Sequence, residues 1–364
     1  MIISRTPFRI SFFGGGTDYP EWYRQHGGSV LGATIDKYCY LTCRYLPPFF
    51  EHRIRVVYSH IENCHTIDEI RHPVVREVLR YLKMNRGIEI HHDGDLPARS
   101  GMGSSSSFTV GLLHALYALK GHMLSKQQLA TEGIYVEQKI LKETVGSQDQ
   151  VLAAYGGFNH IAFMTNGTFS VRPVTLRTER LQELNGYLML FFTGINRTAS
   201  NVAKSYIDKV NHRRRELRIL NDLVGESISV LNSSQNIAGF GELLHEAWQV
   251  KRDLSHAVSN ANVDEIYDEA ISVGAVGGKL LGAGGGGFML LFVPPDKQDR
   301  VKSRLNKLIH VPFKFEFTGT QIIFFDPEVD YSAEEELRSS QPTDPFRELT
   351  IAPRKTERGI RRQR

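Results

Sequence analysis

The segment that most constrains the fold is a glycine- and serine-rich turn, Pro97-Ala-Arg-Ser-Gly-Met-Gly-Ser-Ser-Ser-Ser107, which leads into an apolar stretch. This stretch predicts a long helix over residues 108–119, which the serines would cap. Gly101 and Gly103 let the backbone of the turn come close to a ligand. The free N–H groups and the dipole of the helix both favour an anion there. The turn therefore predicts a phosphate site, and an ordinary capped helix is the alternative.

Two common nucleotide-binding motifs do not match. A Walker loop requires a Gly-Lys-Ser/Thr sequence, and no lysine follows Gly103. A second glycine run, Gly282-Ala-Gly-Gly-Gly-Gly287, has the G-x-G-x-x-G pattern of dinucleotide folds. It leads into a strand-like apolar run at residues 288–293, where a dinucleotide fold requires a helix. These contexts exclude both motifs.

The length and composition are those of a soluble globular protein. With 364 residues, the chain is long enough for two domains. No apolar run approaches the roughly 20 residues that a membrane helix requires, and the N-terminal residues lack a signal-peptide pattern. We therefore expect a cytoplasmic protein without a membrane partner.

The net charge of +4 comes from the C-terminal end of the chain. Residues 354–364 contain six basic residues and one acidic residue, which leaves 38 basic and 39 acidic residues elsewhere. A near-neutral body argues against nucleic acid as a partner. The basic end is predicted to be solvated, and contact with a polyanion is the alternative. Cys39, Cys43 and Cys64 are predicted to be buried thiols rather than disulfide partners.

A glycine loop near the N-terminus carries two opposite charges. A strand predicted at residues 2–13 ends in Gly14-Gly-Gly-Thr-Asp-Tyr19, and Arg9 and Asp18 lie close to this loop in the sequence. A cation can neutralise phosphate, and a carboxylate can hold sugar hydroxyls. The alternative is that Arg9 and Asp18 pair with each other.

Two further carboxylates follow the serine-rich turn. Glu137 falls in a helix predicted over residues 126–141, and Asp149 falls in the segment Gly146-Ser-Gln-Asp-Gln-Val151. Together with the serines, these carboxylates are suited to hold Mg2+ and to accept a proton beside a bound phosphate. A solvated helix residue is the alternative for Glu137.

The order of predicted elements favours an α+β fold, because strands and helices do not alternate regularly. We predict a first domain at residues 1–180, with a boundary near 177–185, and a second domain at 181–326. The second domain would include the strands predicted at 313–317 and 321–325. After Asp326 the apolar content falls, so residues 327–364 are predicted to be a charged tail with little fixed structure from about 332 onward.

Three motifs in this order resemble those of the GHMP kinases, a family that phosphorylates sugars and other small molecules. They are Pro7-Phe-Arg-Ile-Ser-Phe-Phe-Gly-Gly-Gly-Thr-Asp-Tyr19, the segment 97–106, and Gly277-Gly-Lys-Leu-Leu-Gly-Ala-Gly-Gly-Gly-Gly-Phe288. The resemblance spans roughly residues 1–326. It implies an N-terminal domain like ribosomal protein S5 domain 2 and a ferredoxin-like C-terminal domain, with ATP and substrate in the cleft between them.

The resemblance also implies a role for particular residues. The catalytic residues would be Asp149 as the base and Arg9 on the transferring phosphoryl group; the ATP-binding residues would be Gly101, Met102, Gly103, Ser104, Ser105 and Ser106; the substrate-binding residues would be Gly15, Gly16, Thr17, Asp18, Arg197, Gly284 and Gly285; and the Mg2+ ligands would be Ser105 and Glu137. The chain departs from the family at Met102 and Ser106, where leucine and alanine are common.

Within the family, four segments most resemble those of bacterial kinases that act on D-glycero-D-manno-heptose 7-phosphate. These are residues 14–19, 72–76, 193–197 and 277–281. The implied partners are ATP and a small sugar phosphate. The sequence does not decide between a monomer and a homodimer. The substrate's own phosphate requires a cation, and the unranked candidates are Arg197, Arg213, Arg214, Arg215, Lys251, Arg252 and Lys279. The alternatives are an L-fucose kinase, another hexose-1-kinase, or a non-catalytic sensor of the same fold.

Overall fold

Two β-sheets organise the part of the chain that the computed structural model describes, namely residues 1–98, 100–195, 202–203, 205, 212–327 and 331–340. The strands are β1 (Ile2–Phe13), β2 (Gly28–Tyr45), β3 (Ile54–Val57), β4 (Ile61–Cys64), β5 (Ile88–Gly94), β6 (Phe158–Phe163), β7 (Phe169–Pro173), β8 (Leu188–Phe192), β9 (Gly277–Leu280), β10 (Phe288–Phe292), β11 (Ile309–His310), β12 (Phe315–Glu316) and β13 (Gln321–Phe325).

The α-helices of the described chain are α1 (Pro20–His26), α2 (Pro73–Tyr81), α3 (Ser104–Leu119), α4 (Lys126–Tyr135), α5 (Gln148–Tyr155), α6 (Thr178–Tyr187), α7 (Arg214–Asn232), α8 (Ala238–Leu254), α9 (Ala261–Ser272), α10 (Gln298–Arg304) and α11 (Ser332–Ser340). A π-helical segment, Val136–Ile140, directly follows α4. None of the described helices combines the length and apolar character needed to cross a membrane.

The larger sheet has the strand order β13-β1-β2-β5-β3-β4, and β6 and β12 also pair with the long strand β2. All its pairs are antiparallel except β3 with β5. Helix α3 packs on β1 and β2, and Gly111 permits a close approach, because a methyl group there would lie 2.6 Å from the hydroxyl of Thr6. This packing fixes the end of α3 that carries the serine-rich turn.

The second sheet is antiparallel, with the strand order β11-β8-β10-β9. Helix α8 packs on β9, and α7 packs on α8. The run Phe288–Phe292 is a buried strand, as predicted from the sequence that follows the second glycine run. The predicted α+β class is confirmed. The three cysteines are buried free thiols, also as predicted.

Helix α3 is longer than predicted. It begins at Ser104 rather than at residue 108, and Gly103 is its N-cap with φ of +74°. A glycine occupies this position without the steric cost that a serine would carry. The serines therefore form the first turn of the helix, and the N–H groups at its N-terminus belong to Ser104, Ser105 and Ser106.

Helix α6 covers Thr178–Tyr187, across the domain boundary predicted near residues 177–185, and buries Leu184. The last strands also differ from the predicted division at 181–326. Both β12 and β13 return to the larger sheet, where they pair with β2 and β1. β13 pairs with the edge of β1 that would otherwise be unpaired.

The C-terminal segment is more ordered than predicted. Residues Ser332–Ser340 form α11, whereas little fixed structure was expected from about residue 332. Glu335 anchors this helix by accepting a hydrogen bond from the N–H of Gly87 at 3.1 Å and by pairing with Arg53 at 3.3 Å. The basic end at 341–364 lies outside the described residues.

Candidate active site

The glycine- and serine-rich turn packs against the end of β1. Gly101 and Gly103 have φ values of +82° and +74°, which side chains of L-residues rarely adopt. The N–H of Arg9 donates to the carbonyl of Met102 at 3.1 Å, and the Met102 side chain is buried. The predicted phosphate-binding residues thus form a tight turn at the N-terminus of α3, where backbone N–H groups favour an anion.

The second glycine run lies directly against this turn. A methyl group added at Gly101 would lie 2.5 Å from the carbonyl oxygen of Leu281, and one at Gly287 would lie 2.1 Å from that of Ser100. The N–H of Phe288 also donates to the carbonyl of Ser100 at 3.1 Å. Backbone meets backbone at these positions, so the glycines are required by contact as well as by conformation.

Gly284 and Gly285 occupy a different part of the same run. A methyl group at Gly284 would lie 2.6 Å from the carbonyl oxygen of Val258, and the N–H of Gly285 donates to that oxygen at 2.8 Å. Both glycines are buried. They shape the loop around Val258, and their predicted contact with substrate remains a prediction.

Arg9 and Asp149 form a two-point ion pair beside the turn. The Nε and Nη2 atoms of Arg9 donate to the two carboxylate oxygens of Asp149 at 2.7 and 2.6 Å. The Nη1 atom of Arg9 donates to the carbonyl of Gly101 at 2.6 Å. Arg9 is buried, whereas the Asp149 side chain keeps 24% of its surface exposed. The two predicted catalytic residues therefore meet at the turn, and Asp149 faces an accessible space.

Asp18 does not pair with Arg9; backbone N–H groups hold it instead. Its carboxylate accepts hydrogen bonds from the N–H groups of Gly16 at 3.0 Å and Gln148 at 3.2 Å. Burial raises the pKa of Asp18, and the charge of Asp149 raises it further, while these N–H bonds partly offset the rise. A methyl group at Gly146 would lie 1.9 Å from its Oδ2 atom, so the segment that carries Asp149 also fixes Asp18.

The other predicted substrate residues of this loop have structural roles here. The Thr17 hydroxyl donates to the carbonyl of Gly14 at 2.8 Å, lies 3.0 Å from that of Ser29 and accepts from the Ser29 N–H at 3.1 Å. The Thr17 hydroxyl therefore ties the loop to β2, and its predicted sugar contact remains a prediction. Gly16 packs against Leu217 of α7, and Gly15 is half-buried. Arg197 lies outside the described residues.

Glu137 lies in the π-helical segment and is fully buried. Its Oε2 atom accepts hydrogen bonds from the hydroxyl of Ser106 at 3.0 Å and the amide of Gln150 at 2.6 Å. Its Oε1 atom has no hydrogen bond of good geometry among the described residues, although the side chain of Thr109 lies near enough to lower the pKa of the carboxyl. Burial raises the pKa of Glu137 to about 8. A buried carboxylate oxygen without a donor is suited to a cation, so this site fits Mg2+.

Ser106, rather than Ser105, contacts Glu137, and the role of Ser105 as an Mg2+ ligand remains a prediction. Ser106 donates to the carboxylate, whereas Ser105 is exposed on the first turn of α3. Successive helical residues point about 100° apart, so only one of the two can face Glu137. The geometry therefore favours Ser106 over Ser105 as the partner of Glu137. In the sequence, the one sign of this contact was the hydroxyl at position 106, where the family commonly has alanine.

Replacing Glu137 with glutamine is expected to change how stability depends on pH in the metal-free protein. The folded pKa of Glu137 is raised from 4.5 to about 8, so between these values the unfolded chain releases a proton that the folded chain keeps. The wild-type free energy of unfolding should therefore fall by up to about 1.4 kcal/mol per pH unit relative to Glu137→Gln over this range. Urea denaturation in EDTA at several pH values measures the difference.

The exposed Glu179 provides a matched control. The Glu179→Gln variant should follow the wild-type pH dependence. If Glu137→Gln also followed it, Glu137 would not be the buried acid described above.

The segment around Asp149 contributes more than the predicted base. Gln150 donates to Glu137, and the N–H of Gln148 donates to Asp18, so residues 148–150 carry one of the three carboxylates and hold the other two. Neither glutamine was predicted as a site residue. The only sign in the sequence that they belong to the site was their position on either side of Asp149.

An anion-binding turn, a positioned carboxylate beside it and a buried metal-competent carboxylate define a small-molecule kinase. The N-terminal and C-terminal domain families of the GHMP kinases match residues 70–157 and 228–310. The D-glycero-alpha-D-manno-heptose 7-phosphate kinase of Campylobacter jejuni is 30% identical over 87% of this chain and 96% of its own length. The chain belongs to the GHMP kinase family, and it is a sugar kinase that uses ATP as substrate.

More distant relatives include the bifunctional fucokinase/GDP-fucose pyrophosphorylase of Arabidopsis thaliana. It is 25% identical over 83% of this chain, and the match covers 31% of the plant protein. The crystal structure of a D-glycero-D-manno-heptose 1-phosphate kinase from Bacteroides thetaiotaomicron has a TM-score of 0.73 at 23% identity, covering 90% of this chain and all of that one. This likeness confirms the fold.

Proposed function

We propose that the protein transfers the γ-phosphoryl group of ATP to the anomeric C1 hydroxyl of D-glycero-D-manno-heptose 7-phosphate. The product would be the 1,7-bisphosphate, on the route to nucleotide-activated heptose for surface polysaccharide. The observation that carries the proposal is the position of Asp149. Arg9 holds its carboxylate at the phosphate turn, and Asp18 is near enough to interact with it electrostatically. The similarity to the Campylobacter jejuni enzyme over nearly its full length supports the choice of sugar.

In the proposed reaction, the triphosphate lies against the N-terminus of α3 and the sugar lies between Asp18 and Asp149. Asp149 accepts the proton of the C1 hydroxyl while the C1 oxygen bonds to the γ-phosphorus. The bond between that phosphorus and the β,γ-bridging oxygen breaks, and ADP leaves. Such transfers pass through a loose transition state, so alignment and charge neutralisation carry most of the catalysis. An anomeric hydroxyl is a comparatively acidic acceptor, which suits a carboxylate base.

Arg9 has two functions in this scheme. Its bonds to both Asp149 oxygens fix the orientation of the base, and its bond to the carbonyl of Gly101 fixes the base relative to the phosphate turn. The same guanidinium places positive charge next to the phosphoryl group in transfer.

Glu137 and the hydroxyl of Ser106 would hold Mg2+. When bound, the ion neutralises phosphate charge and helps to orient the leaving group. Gln150 keeps the Glu137 carboxylate in place.

A panel of sugars, assayed by ADP release from Mg-ATP, tests this proposal. We expect the highest kcat/KM with heptose 7-phosphate and much lower values with unphosphorylated heptose, L-fucose and galactose. The fucokinase relatives favour L-fucose as the second candidate, and a preference for that sugar would replace heptose in the proposal. Release of ADP with none of the sugars would overturn sugar phosphorylation altogether and leave the sensor as the remaining alternative.

A further inference from the structure

Two lysines at the site are buried without a carboxylate partner. Lys251 on α8 is 5% exposed and Lys279 on β9 is 4% exposed. Neither makes an ion pair with a carboxylate among the described residues. Lysine is rarely buried unless it is paired, so each of these side chains requires an explanation.

Both ammonium groups donate to backbone carbonyls in or next to the glycine loops that form the site. Lys251 Nζ donates to the carbonyl of Gly282, which begins the second glycine run. Lys279 Nζ donates to the carbonyl of Phe12 at 2.7 Å, directly before the loop that carries Asp18. An ammonium group has three donors, so each lysine has capacity beyond the one carbonyl bond described for it.

The charges around these lysines do not balance. Lys251 interacts electrostatically with Arg9, Asp18 and Asp149, and Lys279 interacts with Lys251, Arg9 and Asp18. The group therefore has three cations and two carboxylates when all are ionised. Burial, with the charge of Arg9 as the next cause, lowers the pKa of Lys251 to about 8. Burial also lowers the pKa of Lys279, with Lys251 as the next cause. An anionic ligand would offset this cost.

The other cations considered for the substrate phosphate have different surroundings. Arg213 pairs with Glu216 at 3.2 Å, and Arg252 pairs with Asp264 at 3.1 Å. Arg215 is exposed. Among the described candidates, Lys251 and Lys279 alone combine burial with an electrostatic interaction with Asp18, and Lys251 also interacts with Asp149.

We propose that Lys251 and Lys279 form a phosphate subsite on the acceptor side of the phosphate turn. This inference rests on the proposed function for its place in the reaction, since the phosphate comes either from the γ position of ATP or from the acceptor sugar. The lysines approach from the second sheet and its helices, whereas the nucleotide turn and Asp149 belong to the elements packed on the first. A phosphate between the lysines and the nucleotide turn would connect the residues of the second sheet with those packed on the first.

The alternative is that the lysines only tie the two glycine loops together. Methionine variants separate the two roles, because methionine keeps the apolar length of the side chain and removes the charge. If the role is binding, Lys251→Met and Lys279→Met should be at least as stable as wild type without ligand, since an uncompensated buried charge is lost. If the role is structural, both variants should be destabilised.

The first experiment uses inorganic phosphate and the full-length protein saturated with Mg-ADP, so that the nucleotide turn is occupied. Calorimetric titration should show phosphate binding to wild type and affinity reduced by about 10- to 100-fold in each methionine variant. Lys297→Met is the control, because Lys297 is a partly exposed surface residue paired with Asp296. This titration does not depend on turnover, so it decides the subsite even if no sugar is phosphorylated.

The second experiment identifies the source of the phosphate. If the lysines bind the acceptor's phosphate, kcat/KM should fall for the phosphorylated sugar and stay nearly constant for the unphosphorylated one. If they bind the transferring group, kcat should fall for both sugars. Unchanged phosphate affinity in both methionine variants would overturn the proposal, as would a loss of stability with sugar kinetics unchanged.

Discussion

Asp149→Asn is expected to lower kcat by about 10²- to 10⁴-fold while ATP still binds with nearly its wild-type Kd. The amide cannot accept the proton of the sugar hydroxyl at neutral pH, and it carries no charge opposite Arg9. The phosphate turn itself is built from Gly101, Gly103 and the start of α3, so its geometry does not depend on the carboxylate. Single-turnover kinetics with saturating sugar, together with calorimetric ATP binding, separate the two effects.

The control for this variant is Asp299→Asn. The side chain of Asp299 is 99% exposed on α10, so the same chemical change there should leave kcat unchanged. If Asp149→Asn turned over at a rate comparable to the control, Asp149 would lose its assignment as the base.

Gly101→Ala is expected to reduce kcat/KM for ATP by about 100-fold or more, because a shift of about 1 Å in the turn is enough to misplace the reacting groups. The added methyl group would lie 2.5 Å from the carbonyl oxygen of Leu281, and a φ of +82° is unfavourable for alanine. The turn must therefore separate from the second glycine run or change its backbone conformation. Nucleotide affinity and thermal unfolding should both report the change.

Gly121→Ala separates the effect of the steric contact from the effect of the positive φ. Gly121 has a similar φ of +74°, and nothing lies within 4 Å of the added methyl group. This variant should lose only about 1–2 kcal/mol from the backbone conformation and retain full activity. Equal stability losses and full ATP affinity in both variants would show that contact with the second run does not position the phosphate turn.

Local sequence signals predicted much of the fold and the centre of the site. The strand at Ile2–Phe13 has the predicted bounds, because an apolar run ends in a glycine loop there. The turn at 97–107 was recognisable for the same reason, since its glycines and serines require a specific backbone. Asp149 was marked by its place in a short polar segment before an apolar helix.

Features that depend on packing were not predictable. The helical period over 126–141 indicated one continuous helix, whereas the π-helical segment at Val136–Ile140 sets where Glu137 points. The bond between Ser106 and Glu137 follows from that rotation, and a choice between adjacent serines cannot be made from spacing alone.

Long-range contacts were equally invisible in the sequence. Lys279 meets the carbonyl of Phe12 across 267 positions, and β13 pairs with β1 across more than 300. Lys251 and Lys279 were two of seven unranked cations until their burial and neighbours were known. Secondary structure is encoded locally, whereas the partners of a buried charge are set by the whole fold.

The most direct test of the account is phosphorus NMR of the purified protein with Mg-ATP and D-glycero-D-manno-heptose 7-phosphate. If the C1 hydroxyl is the acceptor, one new phosphate resonance coupled to the anomeric proton should form in equal amount with ADP, while the 7-phosphate signal is retained. Phosphate transfer to another position of the sugar, or ADP formed only with free inorganic phosphate, would contradict it.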